Sequence, residues 1–261
     1  MKKIIALVLA LTMCMTLSAC GKSKAAKAAE DAIAAIGEVT SESGDLIANA
    51  EKLYNILTDS EKSEVENRLT LVEAKEAFTE IQSEIVYKNA KDAYEQLKDV
   101  ANMCVEGMDT IYGAWYFGIY EASDTSTSSF FIKMSLKVPG FSSDELESAA
   151  KNLGISASSA SNKNNWQASI LIAEEAISAR GDYDTIAEKM DSAEKTLQSL
   201  TDDYDDYTYY PKLKEYYAAI KSYVDFFTSP TGSFEQLKDT INSYENSIRT
   251  LESDVSFLFN K

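Results

Sequence analysis

Four carboxylates fall within five residues at Asp202-Asp203-Tyr204-Asp205-Asp206, and Tyr207, Tyr209 and Tyr210 follow directly. Oxygen ligands at that density suit a calcium ion. The EF-hand spacing fails, however. Counting from Asp203, the third ligand position is Tyr207, the sixth position is Thr208 rather than glycine, and the twelfth is Lys214. The tyrosines could stack on a sugar or a partner surface instead. The plainer reading, and the one favoured, is a solvated loop whose tyrosines fold onto the end of a helical bundle.

Other chemistry is scarce. The chain has no histidine. That removes Ser-His-Asp and Cys-His catalysis, paired-histidine zinc sites and imidazole acid–base work together. What remains is carboxylate or lysine chemistry. Glu174-Glu175 and Glu145 with Glu147 are carboxylate pairs, but 42 acids spread over 261 residues produce such pairs by chance. A glycosidase needs two carboxylates facing each other across a cleft, and the spacing alone does not supply one. The band Trp115-Tyr116-Phe117-Gly118-Ile119-Tyr120 reads mainly as core packing. Its alternative is a ligand cleft lined by Trp115, Tyr116 and Tyr120. Cys104 falls on an apolar helical stripe and reads as a buried, unreactive thiol.

The elements that position these residues are helices. Prolines are three (Pro139, Pro211, Pro230) and glycines ten, so long stretches lack either breaker. From Tyr87 the apolar residues keep alternating steps of three and four: Tyr87, Ala90, Tyr94, Leu97, Ala101, Cys104, Met108, Ile111, Trp115. A helix from Tyr87 to Ala122 would run roughly 50 Å at about 1.5 Å per residue. Tyr183 to Leu200 repeats the pattern. Leu213, Tyr217, Ile220, Tyr223 (or Val224) and Phe227 follow it less cleanly. Phe234, Leu237, Ile241, Tyr244, Ile248, Leu251, Val255 and Leu258 follow it best, behind a Ser233-x-x-Gln236 cap. Such seams pack at small crossing angles. Joined by short loops at Gly181-Asp182 and Ser229 to Gly232, they predict an antiparallel bundle.

Residues 123–163 interrupt it. Phe130, Ile132, Met134, Leu136 and Val138 alternate with other residues at period two, a strand signal. No partner strand is in view, so a short helix over about Ser128–Lys137 is favoured over a strand. Pro139-Gly140 ends it. Ser142-x-x-Glu145 opens a helix that stops at Gly154, and Trp166, Ile170, Ala173 and Ile177 resume the stripe.

The first residues give an address. Met1-Lys2-Lys3 is a basic start, Ile4 to Leu17 is mostly apolar, and Leu17-Ser18-Ala19-Cys20 precedes Gly21. A basic head, a short apolar core and small residues before a cut describe a secretory signal. Fourteen residues are too few to span a bilayer, which takes about 20. With its terminal cysteine, the segment resembles a bacterial lipoprotein signal with its lipobox. The resemblance implies removal of residues 1–19, a diacylglycerol thioether on Cys20, and attachment at the extracytoplasmic face of a bacterial membrane. Losing Lys2 and Lys3 takes the net charge from −17 to −19. That argues against a nucleic-acid partner. Lys22, Lys24 and Lys27 beside the anchor are a local exception. They could attract an anionic leaflet, or simply solubilise a linker. Cys14 leaves with the signal and Cys20 is lipidated, so Cys104 has no disulfide partner and stability rests on the core.

Between the anchor and the bundle, Ala32 to Phe78 carries Ile33, Ile36, Gly37, Val39 and Thr40, then Ile47, Ala50 and Tyr54. Leu57-Thr58, Lys62, Val65, Asn67, Leu71 and Ala74 complete the series. The pattern resembles a short helical module recurring in surface and secreted proteins of Gram-positive bacteria, and covers roughly a fifth of the chain. The resemblance implies a spacer or interaction unit and transfers no catalytic residue. The residues themselves read as three helices. Gly37 stops the first, Leu46, Ala50, Leu53 and Leu57 form a stripe on the second, and a Thr58-x-x-Glu61 capping box opens the third.

The expectation is therefore an all-α chain: a leader at 1–19, a lipidated N-terminus and small module at 20–84, and an elongated antiparallel bundle with coiled-coil-like seams at 85–261. The expected function is non-catalytic binding or spacing at the cell surface, with a protein or glycan partner and no cofactor. No catalytic, cofactor-binding or metal-ligating residue is assigned. A glycan- or solute-binding lipoprotein using the aromatic cleft is the alternative. A carboxylate-dependent hydrolase ranks behind both.

Overall fold

The computed structural model describes residues 22–202 and 209–259. The protein is all-α, with eleven α-helices and no strand among the described residues. They divide into two compact units, one through Ile85 and one from Val86.

In the first unit, α1 (Lys24–Ala34) starts at Ser23, whose hydroxyl accepts a hydrogen bond from the Ala26 amide at 2.9 Å. Its buried residues, Ala26, Ala29 and Ile33, lie three and four apart. Gly37 takes a left-handed φ of 63°, which turns the chain. α2 (Gly44–Asn55) buries Ile47 and Ala50. Of the expected stripe, Ala50 and Leu57 are buried and Leu53 packs against the core, but Ile47 takes the place of Leu46, which is 45% exposed. One residue is 100° on a helix, and Leu46-Ile47 offers two aliphatics of which one can face inward. α3 (Asp59–Glu64) carries the expected capping box. The Thr58 amide donates to Glu61 at 2.9 Å, and the Glu61 amide to the Thr58 hydroxyl at 3.3 Å. Val65 then leaves helical geometry.

α4 (Arg68–Tyr120) follows. The heptad reading starts this helix at Tyr87. It starts nineteen residues earlier because nothing between Arg68 and Glu106 is glycine or proline, and Leu71 and Ala74 already bury into the first unit's core. The module therefore contains three short helices and the opening turns of a fourth.

In the second unit α4 is the central element. All of the expected seam from Ala90 to Trp115 is buried, and so are Val86, Ala93, Val100, Ala114 and Phe117 on other sides. Around it stand α5 (Phe130–Ser135), α6 (Ser143–Asn152), α7 (Ala157–Ala160), α8 (Gln167–Arg180), α9 (Asp182–Asp202), α10 (Tyr210–Thr228) and α11 (Phe234–Phe259). α10 and α11 are antiparallel: Lys212 near the start of one pairs with Asp254 near the end of the other at 3.0 Å. Gly181, at φ 83°, links α8 to α9 in one residue. Lys98–Glu252 and Lys189–Asp99 pair α4 with α11 and α9 across exposed rims.

The segment with strand-like alternation is helical. A 3₁₀ turn at Thr127–Ser129 leads into α5, and Phe130, Met134 and Val138 are buried four residues apart. Ile132 and Leu136, the intervening apolar residues, are exposed. The Ser142–Glu145 capping box and the Gly154 stop, at φ 68°, are as expected. On α10 the buried face runs through Leu213, Tyr216, Ile220, Tyr223 and Phe227, so Tyr216 replaces the expected Tyr217. The Tyr217 hydroxyl instead donates to Glu194 on α9 at 2.7 Å.

Two glycines on α4 let other segments reach its backbone. A Cβ on Gly113 would stand 1.8 Å from the Lys137 carbonyl oxygen, and one on Gly118 2.3 Å from that of Trp166. Gly107 makes similar room for the Phe227 ring.

Candidate functional site

Cys20 and the expected leader at 1–19 lie outside the described residues, as do Asp203 to Thr208 of the acidic loop. The chain two residues beyond Cys20 is held firmly. Lys22 Nζ bridges Glu30 at 2.6 Å and Glu66 at 2.8 Å. The Ser23 amide donates to Glu64 at 2.6 Å, and the Glu66 amide to Glu30 at 2.7 Å. Asn67 Nδ2 reaches the Glu30 carbonyl oxygen at 3.0 Å. The Glu30 carboxyl titrates below its usual range, first because it accepts from the Glu66 amide and then from Lys22. Lys22 is raised, mainly by Glu30. Its charge is thus taken up by two carboxylates, which revises the picture of a lysine free to meet an anionic surface.

The aromatic band is where Phe234 docks. Tyr112 stacks on the Phe234 ring at 4.8 Å, and Tyr120 meets it edge-on at 5.9 Å. Tyr116 and Trp115 stand at 6.4 and 6.5 Å. Trp115 also stacks on Trp166 at 5.9 Å. Phe234 is the first residue of α11, placed by the Ser233 cap: the Ser233 amide donates to Gln236 Oε1 at 2.8 Å. Of the three residues expected to line a cleft, Trp115 is covered, while Tyr116 and Tyr120 are 36% and 53% exposed. The Lys137 ammonium sits 5.2 Å over the Tyr116 ring and pairs with Glu121 at 2.8 Å. The band can stack a planar or sugar-like face on Tyr116 and Tyr120; its interior is filled by Phe234. The sequence carried no sign of that filling, because the two partners are 114 residues or more apart.

The carboxylate pairs separate into distinct tasks. Glu145 is the capping partner of Ser142, whose hydrogen bonds lower its pKa. Glu147 pairs with Lys151 at 2.9 Å. Glu174 and Glu175 line a concavity of about 580 Å³ with Leu153, Leu171, Tyr183 and Pro230. Burial raises the Glu174 carboxyl, and Glu175 accepts from Asn152 Nδ2 at 3.0 Å. The two are consecutive on α8, so both approach from one wall, and that wall gains no acid from another element. Two-carboxylate hydrolysis wants its groups on opposite sides of the substrate, about 5–9.5 Å apart. Among the described residues no three histidine, cysteine or carboxylate side chains converge as a metal site. Cys104 is fully buried, and burial pushes its thiol up to about 12.

Sequence reasoning missed one acidic neighbourhood. Glu245 on α11 is raised by burial and by Asp109 of α4, against the opposing effects of Arg249 and the Tyr223 hydroxyl. Asp109, at the rim, is raised by partial burial. A carboxyl raised in the folded state is neutral in both states at low pH and is penalised in the fold once charged. Its burden on stability therefore appears as pH rises above the ordinary carboxylate range. Glu245→Gln is expected to raise the thermal midpoint at pH 7, with the gain vanishing near pH 4, as read by thermal melts across that interval. An unchanged midpoint at both pH values would contradict this.

No protein-family model, curated protein or solved structure matches the chain.

Proposed function

We propose that the protein is a lipid-anchored, non-catalytic helical module on the extracytoplasmic face of a bacterial membrane, where it binds or spaces other surface components. The observation that carries this reading is the leader Met1 to Ala19 with Cys20 directly after Leu-Ser-Ala. Three features support it. No helix among the described residues is long and apolar enough to cross a membrane, so attachment would fall to the lipid. The chain lacks histidine. The ring cluster around Trp115, Tyr116 and Tyr120 is packed against Phe234 of the same chain, which suits a stable scaffold better than a reaction cleft. A glycan or apolar partner engaging that band would meet Tyr116 and Tyr120.

The test is Cys20→Ala expressed in a bacterial host fed a labelled fatty acid. The native chain is expected to take up label and enter the detergent phase. The variant is expected to do neither, and to accumulate as an unprocessed precursor or be released. Label and detergent partitioning that survive the substitution would contradict the proposal.

A further inference from the structure

Under the lipid-anchor reading, on which this inference rests, only Gly21 separates the acylated residue from Lys22. Two residue steps reach about 7 Å at most. Lys22 and Ser23 are already clamped by Glu30, Glu64 and Glu66. The anchor therefore lies within that reach of a clamped residue, and the end of the module that bears Ser23 is carried to the bilayer.

Among the described residues, that end also bears the first unit's most exposed large aliphatic side chains. Ile56 is 71% exposed and Leu69 is 64% exposed. Their placement follows from three contacts that α2 and the turn before it make with the first part of α4. Lys75 pairs with Glu51, the Phe78 ring lies against Gly44, and Gln82 Nε2 donates to the Ser41 carbonyl at 3.4 Å. Rising numbers on one helix meet falling numbers on the other, so the two are antiparallel. Continued the other way, the same register brings Ile56, at the end of α2, to the start of α4. Leu69 stands there, just past the turn whose Glu64 and Glu66 hold Ser23 and Lys22.

We propose that this end of the module is a bilayer-seating surface, with Ile56 and Leu69 entering the boundary between headgroups and acyl chains. Aliphatic side chains this exposed are stabilised by leaving water. The charges around them nearly balance. Glu30, Asp59, Glu61, Glu64 and Glu66 stand against Lys22, Lys24, Lys27, Lys62 and Arg68, five charges of each sign. With so little net charge, the surface is suited to the apolar boundary of any lipid rather than to anionic headgroups.

The experiment uses the full acylated chain in phosphatidylcholine vesicles, spin-labelled at Ile56→Cys, Leu69→Cys or Glu42→Cys. Glu42 lies in the turn between α1 and α2, at the other end of the module. Cys104 is buried and stays unlabelled in the native fold. The readout is relaxation by oxygen, which enters lipid, against relaxation by a water-soluble nickel chelate. The oxygen-to-nickel ratio is expected to be several-fold higher at positions 56 and 69 than at 42, and unchanged when phosphatidylglycerol is added. Three aqueous positions on a chain that floats with vesicles and carries the acyl mass on Cys20 would overturn the seating surface and leave the anchor standing. A ratio that rises only with phosphatidylglycerol would overturn it in favour of electrostatic docking. A chain that neither floats nor carries the acyl group would end both readings.

Discussion

Gly113→Ala is expected to destabilise the second unit by about 3 kcal/mol or more, the upper range of overpacked sites. In an exposed helix the same change gains up to about 1 kcal/mol, because alanine is the better helix former. Here the sign reverses. The new Cβ would stand 1.8 Å from the Lys137 carbonyl oxygen, and that atom is backbone at the end of α5, not a side chain that can rotate away. The Thr110 hydroxyl, one turn earlier, donates to the Pro139 carbonyl at 2.9 Å and holds the same segment against α4. Separating the two would strip cover from Met134 and Val138, both fully buried. For a domain of this size the loss corresponds to a fall of roughly 6–12 °C in thermal midpoint. A midpoint equal to or above that of the native chain would show that residues 136–139 are not seated on the helix as described.

Ile248→Ala is expected to cost about 2–5 kcal/mol, the range for truncating a buried isoleucine. Ile248 sits at the centre of the α11 face, with Ile241 before it and Val255 after it, all inside one core. Typical stabilities are about 5–15 kcal/mol, so the loss is a large share of the whole. Asn246, two residues away on the exposed side, supplies only its backbone carbonyl, to the Thr250 hydroxyl. Asn246→Ala should barely move the midpoint in the same denaturant titration. Two silent variants would mean that the α11 face is not packed inside this chain.

The contrast between these sites marks what was legible in the sequence. Periodicity named the buried face of α11 almost completely because burial imposes the 3.6-residue repeat directly. It missed Phe259, the last described residue, whose ring stacks on Tyr209. Where two candidates are adjacent and alike, as at Leu46-Ile47 and Tyr216-Tyr217, spacing could not separate them. Which side chain faced inward was set by the partner helix. Local caps were read correctly at Thr58, Ser142 and Ser233 because their hydrogen bonds close within four residues.

Long-range contacts were not legible. Only the structure places the Lys137 and Trp166 carbonyls against Gly113 and Gly118. A signal existed all the same. Gly107 and Gly118 are eleven residues apart, which returns to within about 20° on a helix. A small residue repeated on one face of a helix suggests close approach. The candidate cleft was likewise half visible: its aromatic residues stood out in sequence, while Phe234, which fills it, comes from a helix that starts 114 residues later.

The central claim concerns Cys20, and the mass of the mature N-terminal peptide tests it most directly. Intact protein should be extracted from membranes, digested and measured without chemical removal of lipids. The account predicts that the first peptide begins at Cys20 and carries the added mass of a diacylglyceryl group, with or without an amide-linked acyl chain. A peptide that begins at Met1, or at any residue other than Cys20, or a Cys20 with no lipid mass, would contradict it.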